Sequence, residues 1–280
     1  MAEPLDLDHL KQWIGRTTEV SDIVTSQLTK GLRATLFQEI GEPVTGEVAP
    51  YTVHWCLGQP VYPHDQLGPD GHPARGGFLP PVPLPRRMWA GGEVQFIDPL
   101  RVGDLATRVS RIADVTLKSG STGQLCFVAV EHNVTTPRGL AIRERQDLVY
   151  RDVTTTPPAK APPPPPVAQH RETHVSDPVL LFRYSALTFN GHRIHYDRDY
   201  VTKVEGYPGL IFHGPLQAAL LVEFAARLKG KVPAKFSYRG VQPLFEGSEF
   251  SVNANAQAAD FELWTANADG QPTMKATATW

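Results

Sequence analysis

This chain of 280 residues lacks the features that mark several specialised protein classes. It has only two cysteines, Cys56 and Cys126, so neither a disulfide framework nor a cysteine-based zinc site is expected. Its formal net charge of −2 at pH 7 provides no basic surface for nucleic acid or for an anionic membrane. No apolar run approaches the length of a transmembrane helix, and the acidic N-terminus lacks the apolar segment of a signal peptide. We therefore expect a cytoplasmic protein that binds neither nucleic acid nor membrane.

Proline is concentrated in one stretch near the middle of the chain. Residues 154–168 include five consecutive prolines, Pro162–Pro166. Such a stretch cannot enter a helix or a sheet interior and prefers an extended polyproline II conformation. It is typical of a spacer between domains rather than of an SH3-type ligand. The sequence thus predicts two domains, residues 1–153 and 169–280, joined by a linker.

The two halves look related. In each, a Pro-Leu step is followed three residues after the leucine by glycine, and then by apolar runs separated by turn residues. That pattern predicts antiparallel strands. The predicted strands are residues 124–135 and 140–151 in the first half, and residues 250–257, 261–267 and 273–280 in the second.

The starts of the halves match more weakly. Residues 28–35 resemble residues 187–195 when one residue is skipped. This alignment places Thr35 opposite His195 and leaves Asn190 without a counterpart. It predicts that the first half is catalytically silent.

One buried helix and one functional loop are also predicted. Pro215 suits the first position of a helix that starts at Gly214, and Gly230 suits a left-handed cap after it. The helix is apolar nearly all round, so it should be buried, and the strands that follow it indicate an α+β layout. Residues 62–85 form a long Pro- and Gly-rich loop with apolar residues to hold it, of a kind that is often functional.

Residues 182–215 are the most chemically informative segment. They contain three of the ten histidines, His192, His195 and His213. No HExxH pattern or carboxylate-rich ligand set accompanies them, so no metal site is predicted. Ser185 has no nucleophile elbow, and neither cysteine lies in a polar context. Acid–base chemistry therefore fits this segment better than metal-assisted or covalent chemistry.

Asn190 and His195 are the candidate catalytic pair. Neutral histidine can take a proton from water, and a side-chain amide can hold the same water. The free N–H groups at the start of the predicted helix, Gly214 first, could stabilise a developing oxyanion. The alternative is a packed histidine bonded to backbone, together with a helix start that needs no ligand.

The segment resembles a known motif. Residues 184–188 followed by Asn190 and His195 resemble the hydratase 2 motif of the MaoC-like (R)-specific enoyl-CoA hydratases, an aromatic residue and then Asp-x-Asn-Pro-x-His. Asn190 stands in the aspartate position and His195 in the histidine position. Residues 205–216 and 79–92 are similar to the type 2 hydroxyacyl-thioester dehydratases and their longer bacterial relatives.

The resemblance implies a fold and a reaction. The fold is a double hot dog, in which each half is a long buried helix wrapped by a curved antiparallel sheet. The reaction is the reversible addition of water to an enoyl thioester, without a cofactor because CoA is part of the substrate. His195 would activate water, and the Gly214 N–H would hold the thioester oxygen. Since Asn190 cannot ionise, it could only position the water, and His195 would have to move the proton in both steps.

The resemblance also implies a substrate class. The chain looks most like the hydratases of itaconyl-CoA or mesaconyl-C4-CoA, which are short dicarboxylic thioesters. A substrate carboxylate needs a cation, and each candidate arginine could equally form a surface salt bridge or contact a CoA phosphate. The expected substrate-binding residues are Arg86, Arg87, Trp89, Arg183, Tyr184, Arg193 and His213.

Two other functions stay open at this point. One is an (R)-3-hydroxyacyl-thioester dehydratase of fatty acid type, and the other is a non-catalytic acyl-CoA-binding hot dog protein. A homodimer is compatible with either, although a double hot dog can satisfy its pairing within one chain.

Overall fold

A computed structural model of the chain describes residues 5–120, 123–152 and 163–280. Its strands form one antiparallel sheet. They are β1 (Thr17–Ile23), β2 (Arg86–Phe96), β3 (Leu105–Gly120), β4 (Gly123–Thr136), β5 (Gly139–Arg151), β6 (His170–Val175), β7 (Lys235–Gly240), β8 (Glu249–Gln257), β9 (Asp260–Ala266) and β10 (Pro272–Thr279). The order is β1-β3-β4-β5-β2-β7-β10-β9-β8-β6, so the five strands of each half meet edge to edge at β2 and β7. The strands predicted in both halves are confirmed.

Five α-helices lie among the described residues, with short 3-10 turns between them. The α-helices are α1 (Leu7–Lys11), α2 (Ser26–Thr35), α3 (Pro178–Leu187), α4 (Arg198–Lys203) and α5 (Gly214–Lys229). The 3-10 turns are Val53–Cys56, His64–Gln66 and Arg193–His195. None of the described helices is long and apolar enough to cross a membrane.

Helix α5 has the bounds and the burial that the sequence predicts. Pro215 lies in its first turn, and Gly230 ends it with a φ of 77°. Ten of its sixteen residues are buried, because strands β8, β9 and β10 pack along it. The prediction of a buried helix in the second half is confirmed.

Helices α2 and α3 are structural counterparts, and they correct the predicted alignment of the halves. Each ends in a Schellman motif with a left-handed phenylalanine, Phe37 at φ 57° and Phe189 at φ 47°. The next residues, Gln38 and Asn190, donate equivalent N–H bonds back into their helices. Gln38 is therefore the counterpart of Asn190. The alignment that placed Thr35 opposite His195 is wrong. It followed local sequence similarity, whereas the matching ends of α2 and α3 show which residues correspond.

After these caps the halves diverge. Residues 38–48 lead to a bridge between Val48 and Arg101, whereas residues 190–211 lead to the equivalent bridge between Ile211 and Phe245. The extra length of the second segment contains α4 and the turn that carries His195. The first half consequently has no counterpart of His195.

The first half also lacks a counterpart of α5. At the equivalent point it has only the 3-10 turn Val53–Cys56, which Gly58 at φ 56° and Pro60 follow. A left-handed glycine and a proline stop helix propagation there. Among the described residues of the first half the longest helix is α2, with ten residues. The expectation of a long buried helix in each half is thus wrong for the first half.

The packing joins both halves and fixes the long loop. One core cluster takes residues from both halves, including Leu32 from α2 and Leu216 from α5. In a second cluster, Val82 is 0% exposed and Leu84 is 7% exposed, with Phe78 packed beside them. The apolar residues of the predicted loop 62–85 therefore hold it against the first half.

Residues 154–162 of the predicted linker lie outside the described residues. Its later prolines lie along the β9–β10 turn. The carbonyl of Pro163 accepts a hydrogen bond from Gln271, and Pro165 lies against Gly270. The division into 1–153, 154–168 and 169–280 stays a prediction about domains.

A buried carboxylate organises the interior of the first half. Glu144 on β5 is 4% exposed and accepts hydrogen bonds from Trp55 Nε1 at 2.8 Å and Gln146 Nε2 at 2.8 Å. His54 Nε2 lies 3.2 Å from its other oxygen. Although burial raises the pKa of Glu144, His54, His132 and Gln146 lower it to about 2. The carboxylate is therefore ionised and fully partnered in the core.

Replacing this carboxylate should be costly. We expect Glu144→Ala to lower the free energy of unfolding by about 3–5 kcal/mol, because it leaves a buried polar cluster without its acceptor. Urea unfolding measures the loss. Glu131→Ala, which removes an exposed cross-strand partner of Arg111, is the matched control and should cost less than about 1 kcal/mol. Equal costs for the two variants would contradict this description of the core.

Candidate active site

The 3-10 turn Arg193–His195 presents His195 in one defined tautomer. The ring is 7% exposed, and its Nδ1 lies 2.7 Å from the carbonyl oxygen of Ile211. Because a carbonyl oxygen only accepts, Nδ1 carries the proton and Nε2 keeps a free lone pair. Burial lowers the pKa of His195 to about 4, with nearby His72 adding to the shift and the Ile211 bond opposing it. His195 is thus a neutral base at physiological pH.

Asn190 is positioned by the end of α3. Its backbone N–H closes the Schellman motif on Ser185, and its side-chain oxygen accepts the N–H of His192 at 3.1 Å. The amide oxygen is already used locally, which leaves the NH2 group as the part that can meet a ligand. Asn190 can position a polar group but cannot transfer a proton.

The start of α5 has free backbone N–H groups and lies next to two stacked aromatic rings. Among the bonds of the described residues, none is donated by the Gly214 N–H, as expected for a first-turn amide. A Cβ at Gly214 would lie 3.0 Å from Trp89 Cε3, so glycine is what lets the indole approach the helix. Trp89 stacks on Tyr238 with ring centroids 4.3 Å apart.

His213 and Tyr184, both expected to bind substrate, lie behind His195. The ring of His213 stacks on that of His195 with centroids 3.6 Å apart, and its Nε2 is 2.9 Å from Ser185 Oγ. His213 is 1% exposed and Tyr184 is 2% exposed. Burial lowers the pKa of His213 well below its usual value. His213 therefore packs directly against the His195 ring, and Tyr184 packs against His213.

The four candidate arginines have different environments. Arg86 pairs with Glu205 and covers the ring of Tyr207. Arg193 pairs with Asp197 at 2.8 Å, and Arg183 is exposed on α3.

Arg87 alone among them is half-buried and has no carboxylate partner among the described residues. It lies opposite Tyr150 in the β2–β5 pair, where its charge counteracts the burial that raises the pKa of that phenol. Its charge also helps to lower the pKa of His72 and of His192. It is consequently the candidate arginine whose charge acts on both His72 and His192.

The sequence did not identify two residues of the site, Asp70 and His72. They lie in the first-half loop, whose backbone docks on Gly191 and Arg193. The Arg193 N–H donates to the Asp70 carbonyl at 2.9 Å. A Cβ at Gly71 would come within 1.9 Å of the Gly191 oxygen, so this close approach requires glycine. The apolar residues of the loop signalled order, but no spacing pattern links residue 72 to residue 195.

The docked loop extends the row of imidazoles. His72 Nδ1 lies 3.0 Å from Asp70 Oδ2, and the His72 ring is 4.1 Å from that of His192. The His192 ring is in turn 5.6 Å from that of His195. Burial, with His72 next in importance, lowers the pKa of His192 to about 2. Four histidines and one carboxylate thus form a contiguous cluster.

Part of this cluster has the composition of a metal site. Asp70, His72 and His192 each offer one ligand atom, and these atoms lie within 4.8 Å of one another. The guanidinium of Arg87 beside both histidines would oppose a dication there. The direct bond between Asp70 and His72 already uses one atom of each. The absence of a metal stays a prediction.

This geometry suits proton transfer beside a carbonyl group. A neutral imidazole with a free Nε2 can deprotonate water. A helix start with unpaired N–H groups can stabilise the oxygen of an enolate-like transition state. The two features lie next to each other, because His195 stacks on the residue that precedes Gly214.

Known proteins share both the sequence and the fold. Residues 51–246 match the family Hydroxyacyl-thioester dehydratase type 2. Mesaconyl-C(4)-CoA hydratase of Chloroflexus aurantiacus is 43% identical over 95% of each chain. The crystal structure of HtdX from Mycobacterium tuberculosis aligns with a TM-score of 0.65 at 18% identity, covering 94% of this chain and 99% of that one.

A second structure identifies the fold by name. A protein of Mycobacterium tuberculosis with a double hotdog fold aligns with a TM-score of 0.54 at 11% identity, covering 95% of both chains. The α+β double hot dog expected from the sequence is confirmed. The chain belongs to the type 2 hydroxyacyl-thioester dehydratase family of hydro-lyases, and its sheet has the double hot dog architecture.

Proposed function

We propose that this enzyme reversibly hydrates a short dicarboxylic enoyl-CoA, with mesaconyl-C4-CoA as the first candidate. The observation that carries the proposal is the neutral His195, whose Nδ1–H is held by Ile211 beside the start of α5. The 43% identity to a mesaconyl-C4-CoA hydratase over nearly the whole chain supports the substrate class.

The proposed reaction follows from the site. His195 Nε2 takes a proton from water while the oxygen of that water bonds to Cβ of the enoyl thioester. The π electrons move toward the thioester carbonyl, whose oxygen is stabilised by the Gly214 N–H. The NH2 group of Asn190 orients the substrate or the water. Addition is completed when Cα receives a proton.

Arg87 is the proposed partner of the substrate's free carboxylate. In mesaconyl-C4-CoA that carboxylate is attached to Cβ, next to the point of water attack. Arg87 lies near His72 and His192 and keeps its charge free of protein carboxylates among the described residues. A guanidinium can bind such a carboxylate through two parallel hydrogen bonds.

The function is tested by mixing the purified enzyme with mesaconyl-C4-CoA and following the loss of the enoyl absorbance. We expect turnover by the wild type. His195→Gln should lower kcat on the order of 10²- to 10⁴-fold, because it removes the base. His170→Gln replaces an exposed histidine on β6 and should behave like the wild type. Absence of turnover by the wild type, or full activity of His195→Gln, would refute the proposal.

Arg87→Gln tests the substrate class. We expect about a tenfold or larger rise in KM for mesaconyl-C4-CoA, corresponding to the loss of a charge-assisted bond worth about 1.5–3 kcal/mol. The KM for crotonyl-CoA, which has no free carboxylate, should change little. Arg183→Gln, at the exposed position on α3, is the control. Equal changes in KM for both thioesters in Arg87→Gln would show that Arg87 does not bind the free carboxylate.

The pH dependence follows from the lowered pKa of His195. Hydration needs the neutral ring, which predominates above its pKa of about 4. We therefore expect the acid limb of kcat/KM near pH 4 rather than near 6.5. The control is enzyme held at each pH and then assayed at pH 7, which separates titration from unfolding. An acid limb near 6.5 would contradict the buried, neutral state of His195.

A further inference from the structure

The proposed hydration requires two proton transfers, and the Asn190–His195 pair contains one titratable group. Asn190 cannot give a proton to Cα, and its oxygen is already bonded to the His192 N–H. His213 is fully buried and bonded to Ser185. A second acid–base group, if present, must come from elsewhere in the fold.

The first-half loop places a carboxylate–imidazole pair at the site. Asp70 Oδ2 accepts the Nδ1–H of His72 at 3.0 Å, and its other oxygen, Oδ1, accepts the backbone N–H of His72 at 3.0 Å. The side chain of His72 is 17% exposed, so it keeps some access to solvent beside His192. An aspartate that holds one ring nitrogen stabilises the imidazolium, which makes Nε2–H a proton donor.

Several contacts hold this loop against Gly191 and Arg193. Two glycines, Gly71 and Gly191, touch through their backbones with no room for a Cβ on Gly71. Arg193 donates its backbone N–H to Asp70 and its guanidinium to the Pro69 carbonyl at 2.9 Å. The three residues that precede His72 are thus held against Gly191 and Arg193.

We infer that the Asp70–His72 pair is the second acid–base group of the reaction and replaces the carboxylate that Asn190 lacks. This inference rests on the proposed hydration. It assigns a chemical role to the first half, which the sequence alone predicted to be catalytically silent.

The proton balance of the reaction closes within the cluster. His195 Nε2 gains the proton of water as the hydroxyl bonds to Cβ, and His72 Nε2 gives its proton to Cα of the enolate. After addition, His195 has one proton more and His72 one fewer. His192 lies between them, 5.6 Å from one ring and 4.1 Å from the other, and can pass the proton back. The net change is the addition of one water.

The charges around His72 couple its protonation to substrate binding. The pKa of His72 is lowered overall, because burial, the largest cause, and the charges of Arg87 and Arg75 outweigh the opposing bond and charge of Asp70. The ring is therefore neutral near pH 7 in the free enzyme. His192 and His195 are the other titratable groups that interact with it. A substrate carboxylate bound to Arg87 would neutralise that cation and thus favour the imidazolium. Dicarboxylate binding would then charge the proton donor.

His72→Gln and Asp70→Asn test the pair, assayed on whichever enoyl-CoA the wild type turns over fastest. His72→Gln should lower kcat on the order of 10²-fold or more. Asp70→Asn should move the alkaline limb of the rate to lower pH, because loss of the carboxylate lowers the pKa of His72. His64→Gln, an exposed histidine in the same loop, is the matched control and should keep wild-type kinetics.

A rescue experiment separates chemistry from loop packing. Adding Asn190→Asp to His72→Gln restores a carboxylate at position 190. We expect kcat to recover at least about tenfold, which is less than the usual contribution of general acid–base catalysis. A loop that has merely lost its packing would not be rescued by this change. The midpoint of thermal unfolding of each variant reports its folding.

Three outcomes would overturn the inference. The first is wild-type kcat and pH profile in His72→Gln while His195→Gln is inactive, which would leave the proposed function intact. The second is loss of activity in His72→Gln without recovery by Asn190→Asp. The third is loss of wild-type activity on chelation with EDTA and its return with zinc, which would make the cluster a metal site.

Discussion

The hydrogen bond between His195 Nδ1 and the Ile211 carbonyl determines how the rest of the site is arranged. Ile211 bonds to the turn that carries His195 through both of its backbone groups. Its carbonyl accepts the His195 Nδ1–H, and its N–H donates to the carbonyl of Ile194 at 2.9 Å. Ile211 also bridges Phe245, and two residues later the chain reaches the N-cap of α5. One short segment therefore fixes both the tautomer of His195 and the position of the first N–H groups of α5.

The two halves have diverged around a shared sheet. The second half keeps the long helix and the extended segment between its cap and its bridge. The described part of the first half has no such helix, and its long loop docks on the second half. Its interior is organised by Glu144, which holds Trp55, and Trp55 meets Trp89 edge to face at 5.5 Å. Because Trp89 lies against Gly214, the buried carboxylate is linked through two indoles to the start of α5.

Features that depend on local pattern were predictable from the sequence. Pro215 and Gly230 mark the ends of α5, and alternating apolar runs mark the strands of both halves. The resemblance of Asn190 and His195 to a known motif identified the family. Gly58 and Pro60 are helix breakers that the sequence contains, but the resemblance to a double hot dog family favoured a long helix in each half.

Features that depend on distant contacts were not predictable. The pairing of Asp70 and His72 with His192 requires the loop to dock more than a hundred residues away in sequence, and nothing in its spacing encodes that contact. The arginines also look alike in sequence. Only the fold shows that Glu205 neutralises Arg86 and that Arg87 keeps its charge free near the histidines.

The central claim is that His195 is a neutral base with its proton on Nδ1. Nitrogen-15 NMR of the histidine-labelled enzyme tests it most directly, with His195→Gln used to assign the signal. The account predicts a protonated Nδ1 and an unprotonated Nε2 that persist from pH 8 down to about pH 5, consistent with a pKa of about 4. A proton on Nε2, or titration of the ring near its usual pKa, would contradict it.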